Sequence, residues 1–229
     1  MLPWLDPQPI RFPPVESALD EPNGLLAAGG GLSPEWLLSA YRRGIFPWYA
    51  EDQPILWWSP DPRMVLFPAE IRIRRSLAKR LRNAGFSVTF DRAFDSVIGA
   101  CAAARDDDGT WIDDAMHEAY CRLHELGHAH SVEVWEGESL VGGLYGLSLG
   151  GVFFGESMFS RRPDASKIAL VHLARHLETH DYTMIDCQMH TPHLASLGAR
   201  DIARETFIDY LERSVDRVHP APIWPRETP

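Results

Sequence analysis

The sequence predicts an α+β protein, on three observations. Helix-start residues stand before apolar-periodic runs at Ser33, Asp113 and Thr191. Short runs of strand character recur at 86–90, 131–135, 140–149 and 152–159. A further run, 182–188, follows directly on the helical stretch KIALVHLARHLE, so strands and helices interleave.

Taken in order, residues 1–31 are rich in Pro and Gly and read as irregular. The Gly triplet at 29–31 reads as a turn; no Gly-Lys-Ser/Thr follows to make it a phosphate loop. In LSPEWLLSAYRRG, Ser33 is a helix cap, Pro34 takes the first helical position and Gly44 is the stop. Residues 44–68 hold five prolines and three tryptophans, which argues against a long helix or a central strand. That segment is either a stiff connector packed on the core or a stacking wall for a flat ligand. In IRIRRSLAKRLRNAG, Ile73, Leu77 and Leu81 share one helix face, while Arg72, Arg75, Lys79 and Arg82 share another. Ser76 is a possible cap. FSVTF is a strand. Asp113 caps a helix whose Met116, Ala119, Tyr120, Leu123 and Leu126 lie on one face, and Gly127 stops it. SVEVW and LVGGLYGLSL form a strand pair across a Glu-Gly-Glu-Ser turn, and VFFGESMF follows with Gly155 as a bulge or close-approach point. YTMIDCQ is a short buried strand, Thr191 opens a short helix ending at Gly198, and ARETFIDYLERS is the last helix.

The formal net charge of −10 argues against general affinity for phosphate. Yet six basic residues crowd into positions 72–82, and a local stripe binds phosphate whatever the average. A solvated face is the plainer reading of such a stripe; the lack of an interleaved acid favours a phosphate ridge. The chain shows no apolar run of about 18 residues and no signal-peptide pattern. Its three cysteines, Cys101, Cys121 and Cys187, are odd in number and widely spaced, which fits a reducing cytoplasm better than a disulfide framework or a Cys-based zinc site.

Two motifs invite a wrong reading. His124-Glu125-Leu126-Gly127-His128 spells the zinc-protease signature, which needs both histidines one turn apart on one helix. Gly127 and the strand pattern from Ser131 predict instead that the helix stops at Leu126 and leaves His128 in a turn. Ser157 sits in Gly-Glu-Ser-Met-Phe, which lacks the second glycine of a nucleophile elbow. Cys187 reads as a buried structural thiol. More informative are Glu156, Asp186 and Gln188, polar residues set among Phe153, Phe154, Met158 and Ile185. On a regular strand Asp186 and Gln188 point the same way. Buried carboxylates need partners or a purpose; a packing network and a reactive site both supply one.

The stretches EPNGLLAAGGGLSPEWLLSAYRRGIFPWY, ILWWSPDPRMVLFP, GTWI, AYCRLHELGHAHSVEVW, LVGGLYG, FFGESMFSR, ASK, IDCQ and HLASLGA, in this order over nearly the whole chain, resemble the leucyl/phenylalanyl-tRNA–protein transferase family. The resemblance implies transfer of Leu or Phe, and less well Met, from aminoacyl-tRNA to the α-amine of a protein with N-terminal Arg or Lys, marking it for degradation in the cytoplasm. It implies a small N-terminal domain (1–62) and a C-terminal catalytic domain (63–229) similar to Gcn5-type N-acetyltransferases. The acetyltransferase loop R-x-x-G-x-G/A is absent; SRRPDASK stands there and suits a donor other than acetyl-CoA. A small-molecule N-acyltransferase of similar fold is the alternative. Asp186 would draw on the acceptor amine, Gln188 would bridge and orient, and Glu156 would help hold the acceptor's basic N-terminal residue or the reacting groups. Leu144, Phe153, Met158, Leu170 and Ile185 would form the donor side-chain pocket, and Trp48 and Trp111 would stack the terminal adenosine. Arg75, Lys79, Arg80 and Arg82 would take the tRNA backbone. No metal, cofactor or membrane is implied, and a monomer is expected.

Overall fold

The structure is a computed structural model that describes residues 2–50, 52–83, 85–104, 112–220 and 222–224. Its first part builds a four-stranded sheet. β1 (Trp4–Leu5) runs parallel to β2 (Leu25–Gly29). After α1 (Pro34–Tyr41), β3 (Phe46–Pro47) and β4 (Leu56–Trp58) complete the order β1-β2-β4-β3. Ser33 caps α1, accepting the Trp36 N–H at 3.5 Å, and Gly44 takes φ +73° just past its end.

These strands correct the expectation of irregular chain at 1–31. In β2, LLAAG, four of five residues are buried, so no period-2 alternation marks it as a strand. The prolines of 44–68 also mislead. β5 (Arg63–Leu66) fits between Pro62 and Pro68 and is a central strand, paired with a neighbour on each side.

The second sheet has seven strands. β5 is followed by α2 (Arg75–Asn83), β6 (Ser87–Phe90), α3 (Phe94–Ala103) and α4 (Asp114–Glu125). Then come β7 (Ala129–Glu136), β8 (Ser139–Leu149), β9 (Val152–Ser160), α5 (Ala165–Thr179) and β10 (Met184–Gln188). α6 (Pro192–Ser196), β11 (Arg200–Ile202) and α7 (Arg204–Ser214) end the ordered elements. The order across the sheet is β11-β5-β10-β9-β8-β7-β6. β9 and β10 are its parallel pair, and parallel neighbours need a crossover, here α5. Ser76 does not cap α2, which already includes Arg75.

α3 carries apolar residues at helical spacing, Phe94, Val97, Ile98 and Cys101, but no local start signal, because its cap is remote. No side chain of its own caps it; the Ala93 and Arg92 N–H groups donate to the buried carboxylate of Glu133 on β7, both at 3.4 Å. α4 starts where predicted, with Asp113 accepting the Met116 N–H at 2.7 Å. It also ends where predicted: Gly127 takes φ +79° and the His128 N–H returns to the Leu123 carbonyl at 2.8 Å.

Two apolar clusters cover the two faces of the larger sheet. One runs through the smaller sheet, α1, α3, α4 and α7. The other lies under α5. The functional groups sit where these clusters approach each other, along β9 and β10.

Candidate active site

β9 and β10 each carry one extra residue. On β9, Tyr145↔Ser157 is followed by Gly146↔Gly155, which leaves Glu156 unpaired as a bulge. The alternation therefore flips: Phe153 and Met158 both join the α5 face, while Phe154 and Phe159 join the other. On β10, Asp186↔Val65 is followed by Gln188↔Met64, so Cys187 is the extra residue. Gln188 then takes φ +58°. The regular-strand expectation for Asp186 and Gln188 thus fails at Cys187, and the kink carries Gln188 to the cavity wall.

That cavity holds about 360 Å³ between the α5 face of the sheet and β3 of the smaller one. Leu144, Phe153, Met158, Leu170 and Ile185 all line it. Phe46, Pro47 and Trp48 supply part of its wall, and Trp48 remains 37% exposed. Trp111 lies outside the described residues.

Glu156 and Gln188 are polar groups on this largely apolar wall. The Gln188 side-chain amide donates to Glu156 Oε1 at 3.2 Å. Tyr41 donates to the same oxygen at 2.7 Å and Tyr120 to Oε2 at 2.8 Å. The two tyrosine hydroxyls also touch, 2.5 Å apart. Burial pushes the Glu156 carboxyl up to about 7, against the pull of the two tyrosine hydrogen bonds.

Asp186 is placed differently from the expectation that it draws on an amine. It is fully buried and does not line the cavity. Arg63 grips it with two hydrogen bonds, Nε to Oδ1 at 2.8 Å and Nη2 to Oδ2 at 2.7 Å. The Gln188 backbone N–H donates to Oδ1 at 2.9 Å. Asp186 therefore fixes the kink that aims Gln188 and has no free surface for a substrate. Arg63 is equally buried; it donates to the Gly44 carbonyl at 3.0 Å and lies between the rings of Phe46 (4.8 Å) and Phe207 (4.5 Å).

Arg63, Tyr41 and Tyr120 escaped the sequence reading. The signal was present. Arg63 stands at the head of the apolar run Met64–Phe67, and Tyr120 puts a hydroxyl on an apolar helix face, where it needs a partner.

Other candidates carry no chemistry in this geometry. Ser157 Oγ is buried with no hydrogen-bond partner among the described residues, so no base activates it. Burial pushes the Cys187 thiol up, away from thiolate character. His124 stacks on Phe94 at 4.3 Å and its Nδ1–H donates to the Ala129 carbonyl at 2.8 Å, while His128 lies past the helix end. Asp91 and His130 come near His124, but Asp91 already pairs with His130 Nδ1 at 2.7 Å and accepts the Ser131 N–H at 2.8 Å. Arg75, Lys79, Arg80 and Arg82 are all exposed on α2, and Arg80 reaches Asp164 at 3.4 Å. No helix among the described residues is long and apolar enough to cross a membrane.

Residues 65–212 match the family model described as leucyl/phenylalanyl-tRNA protein transferase, and residues 30–61 match the model of that family's N-terminal domain. A curated leucyl/phenylalanyl-tRNA–protein transferase of Chromohalobacter salexigens is 69% identical over 98% of this chain and 88% of its own length. One from Azoarcus sp. is 63% identical over 98% of this chain and 95% of its own. Among solved structures, a GCN5-related N-acetyltransferase from Kribbella flavida aligns at 12% identity and TM-score 0.40, over 74% of this chain and 61% of that one. L-PGS from Bacillus licheniformis aligns at 11% identity and TM-score 0.42, over 81% and 71%.

Proposed function

The chain belongs to the leucyl/phenylalanyl-tRNA protein transferase family, an aminoacyltransferase family, and from that premise we propose how its own residues make the transfer. The donors are Leu-tRNA and Phe-tRNA, with Met-tRNA used less well. The acceptor is a protein with N-terminal Arg or Lys, which the added residue marks for degradation. The work is cytoplasmic and done by a monomer, with catalysis in 63–229 and residues 1–62 completing the cavity wall.

The observation that carries this reading is an apolar cavity of about 360 Å³ with a near-neutral carboxyl and an amide on its wall. The five apolar residues receive the donor side chain, and the cavity they line is large enough to hold Leu or Phe. Trp48, together with Trp111, stacks the terminal adenosine. The α2 ridge of Arg75, Lys79, Arg80 and Arg82 takes the acceptor-stem phosphates, contacts that position without reading sequence.

The chemistry is aminolysis of an ester. It runs downhill, so the protein has to align two reactants and manage the protons on the attacking nitrogen. An acceptor amine arrives protonated, with a pKa of about 8. Glu156, held near 7, is matched to accept that proton, with Tyr41 and Tyr120 donating to its carboxylate; the freed amine then attacks the ester carbonyl, the carbonyl–ribose oxygen bond breaks, and a second proton passes from the nitrogen to that oxygen, leaving the tRNA with a free hydroxyl. Gln188 orients the amine against Glu156. Asp186 and Arg63 are positioning residues that keep Gln188 in its kinked conformation.

The experiment is transfer of radiolabelled leucine from Leu-tRNA to a peptide with N-terminal Arg, with an N-terminal Gly peptide as control, in the presence and absence of EDTA. Label on the Arg peptide alone, indifferent to chelator, is the expected result. Absence of transfer by folded protein sinks the reading and favours a small-molecule acyl acceptor.

A further inference from the structure

The tail after α7 runs over the face of the sheet that carries α5. His219 stacks on Tyr182, with centroids 5.1 Å apart, and its Nε2 donates to the Gly150 carbonyl at 2.8 Å. Five residues on, Trp224 packs into the apolar cluster under α5. Its ring stacks on His130 at 4.1 Å and 9°, and lies 5.1 Å from His176. Phe153 is a third neighbour, with centroids 5.7 Å apart.

Phe153 links this tail to the reaction. It is fully buried, it lines the donor cavity, and Trp224 does not. Its ring rests on bare backbone on another side: a Cβ at Gly146 would stand 2.6 Å from Phe153 Cε1. The ring therefore cannot retreat toward β8, and it cannot retreat through Trp224. His130, on which Trp224 stacks, is anchored by its 2.7 Å contact with Asp91.

We propose that Trp224 is a specificity-determining positioning residue: by backing Phe153, it sets the depth of the cavity for the donor side chain. The proposal rests on the reading that this cavity receives that side chain. Interiors are packed too tightly for a ring to shift without vacated space next to it. Removing the indole supplies such space, so Phe153 can swing away and the cavity deepens. A deeper cavity favours Phe over Leu as donor.

The test compares kcat/KM for Phe-tRNA and Leu-tRNA in Trp224→Ala, Trp224→Phe and Leu170→Ala, with thermal melting to verify folding. The Phe-to-Leu ratio is expected to rise about tenfold in Trp224→Ala, within the range by which apolar pockets separate side chains of different size. Trp224→Phe should move it less, in the same direction. A tail with a merely structural role lowers both rates together and leaves the ratio alone, which overturns the proposal. Should Trp224→Ala fail to fold, Trp224→Phe decides: a raised ratio supports the proposal and an unchanged one overturns it. Leu170→Ala changes the cavity directly. If it shifts the ratio while neither Trp224 variant does, the cavity reading stands and the role of the tail falls. If none of the three shifts it, the cavity reading falls and takes the proposal with it.

Discussion

Glu156 is a carboxyl group kept close to its titration midpoint at neutral pH, raised to about 7 chiefly by burial. The ionised form is the one that can take a proton from an ammonium. Transfer should therefore fall as pH drops through about 7. Glu156→Gln should flatten that limb and reduce kcat by about 100-fold or more, the range for a positioned proton acceptor. Stability should move in the opposite sense. A raised folded-state pKa means stability that is fully present below the unfolded value and lost as pH rises through about 7. The Gln variant cannot ionise, so it should melt higher than the parent at pH 8, and the gap should close by pH 4. A parallel pH profile in the variant would remove Glu156 from proton transfer. At this scale the sequence was informative for a simple reason: Glu156 and Gln188 are polar residues in apolar runs. The roles of Arg63 and Tyr41 depend on partners, Asp186 and Glu156, that lie 123 and 115 residues away.

Elements that carry their own signal were legible: α1 and α4 have local caps and glycine stops, and α7 has a clear apolar stripe. Those whose determinants lie elsewhere were not. α3 borrows its cap from β7, and β2 and β5 are buried too uniformly to alternate. The bulges of β9 and β10 are properties of register with a neighbouring strand, which no single strand spells out. The basic helix α2 was readable because its charges share an exposed face. If that face lies along tRNA phosphates, Lys79→Ala should weaken binding about equally for every Leu-tRNA sequence. It should also reduce the slope of log affinity against log salt by about 1. Binding insensitive to salt would detach α2 from the nucleic acid. Arg80 should matter less than Lys79, because Asp164 already engages it.

Across the whole molecule, one residue ties three regions together. Arg63 stands on the first strand of the larger sheet, holds Gly44 beside the smaller sheet, pairs with Asp186 on β10 and lies against Phe207 of α7. Asp186→Asn leaves this guanidinium buried without a countercharge and should cost about 3–5 kcal/mol, read from a denaturant melt. Replacing both partners by apolar residues, Arg63→Met with Asp186→Leu, should recover stability relative to the single change, yet not transfer, because the Gln188 N–H then has no acceptor. Recovery of both would show that Asp186 serves packing alone.

The same residue orders events in time. Phe207 leaves the ribosome well after Asp186 and much later than Arg63, since translation proceeds from the N-terminus. A nascent chain that has emerged only through β10 has the carboxylate and its cation but not the ring that covers them. Water then reaches the pair, and the strand end that aims Gln188 is not yet locked.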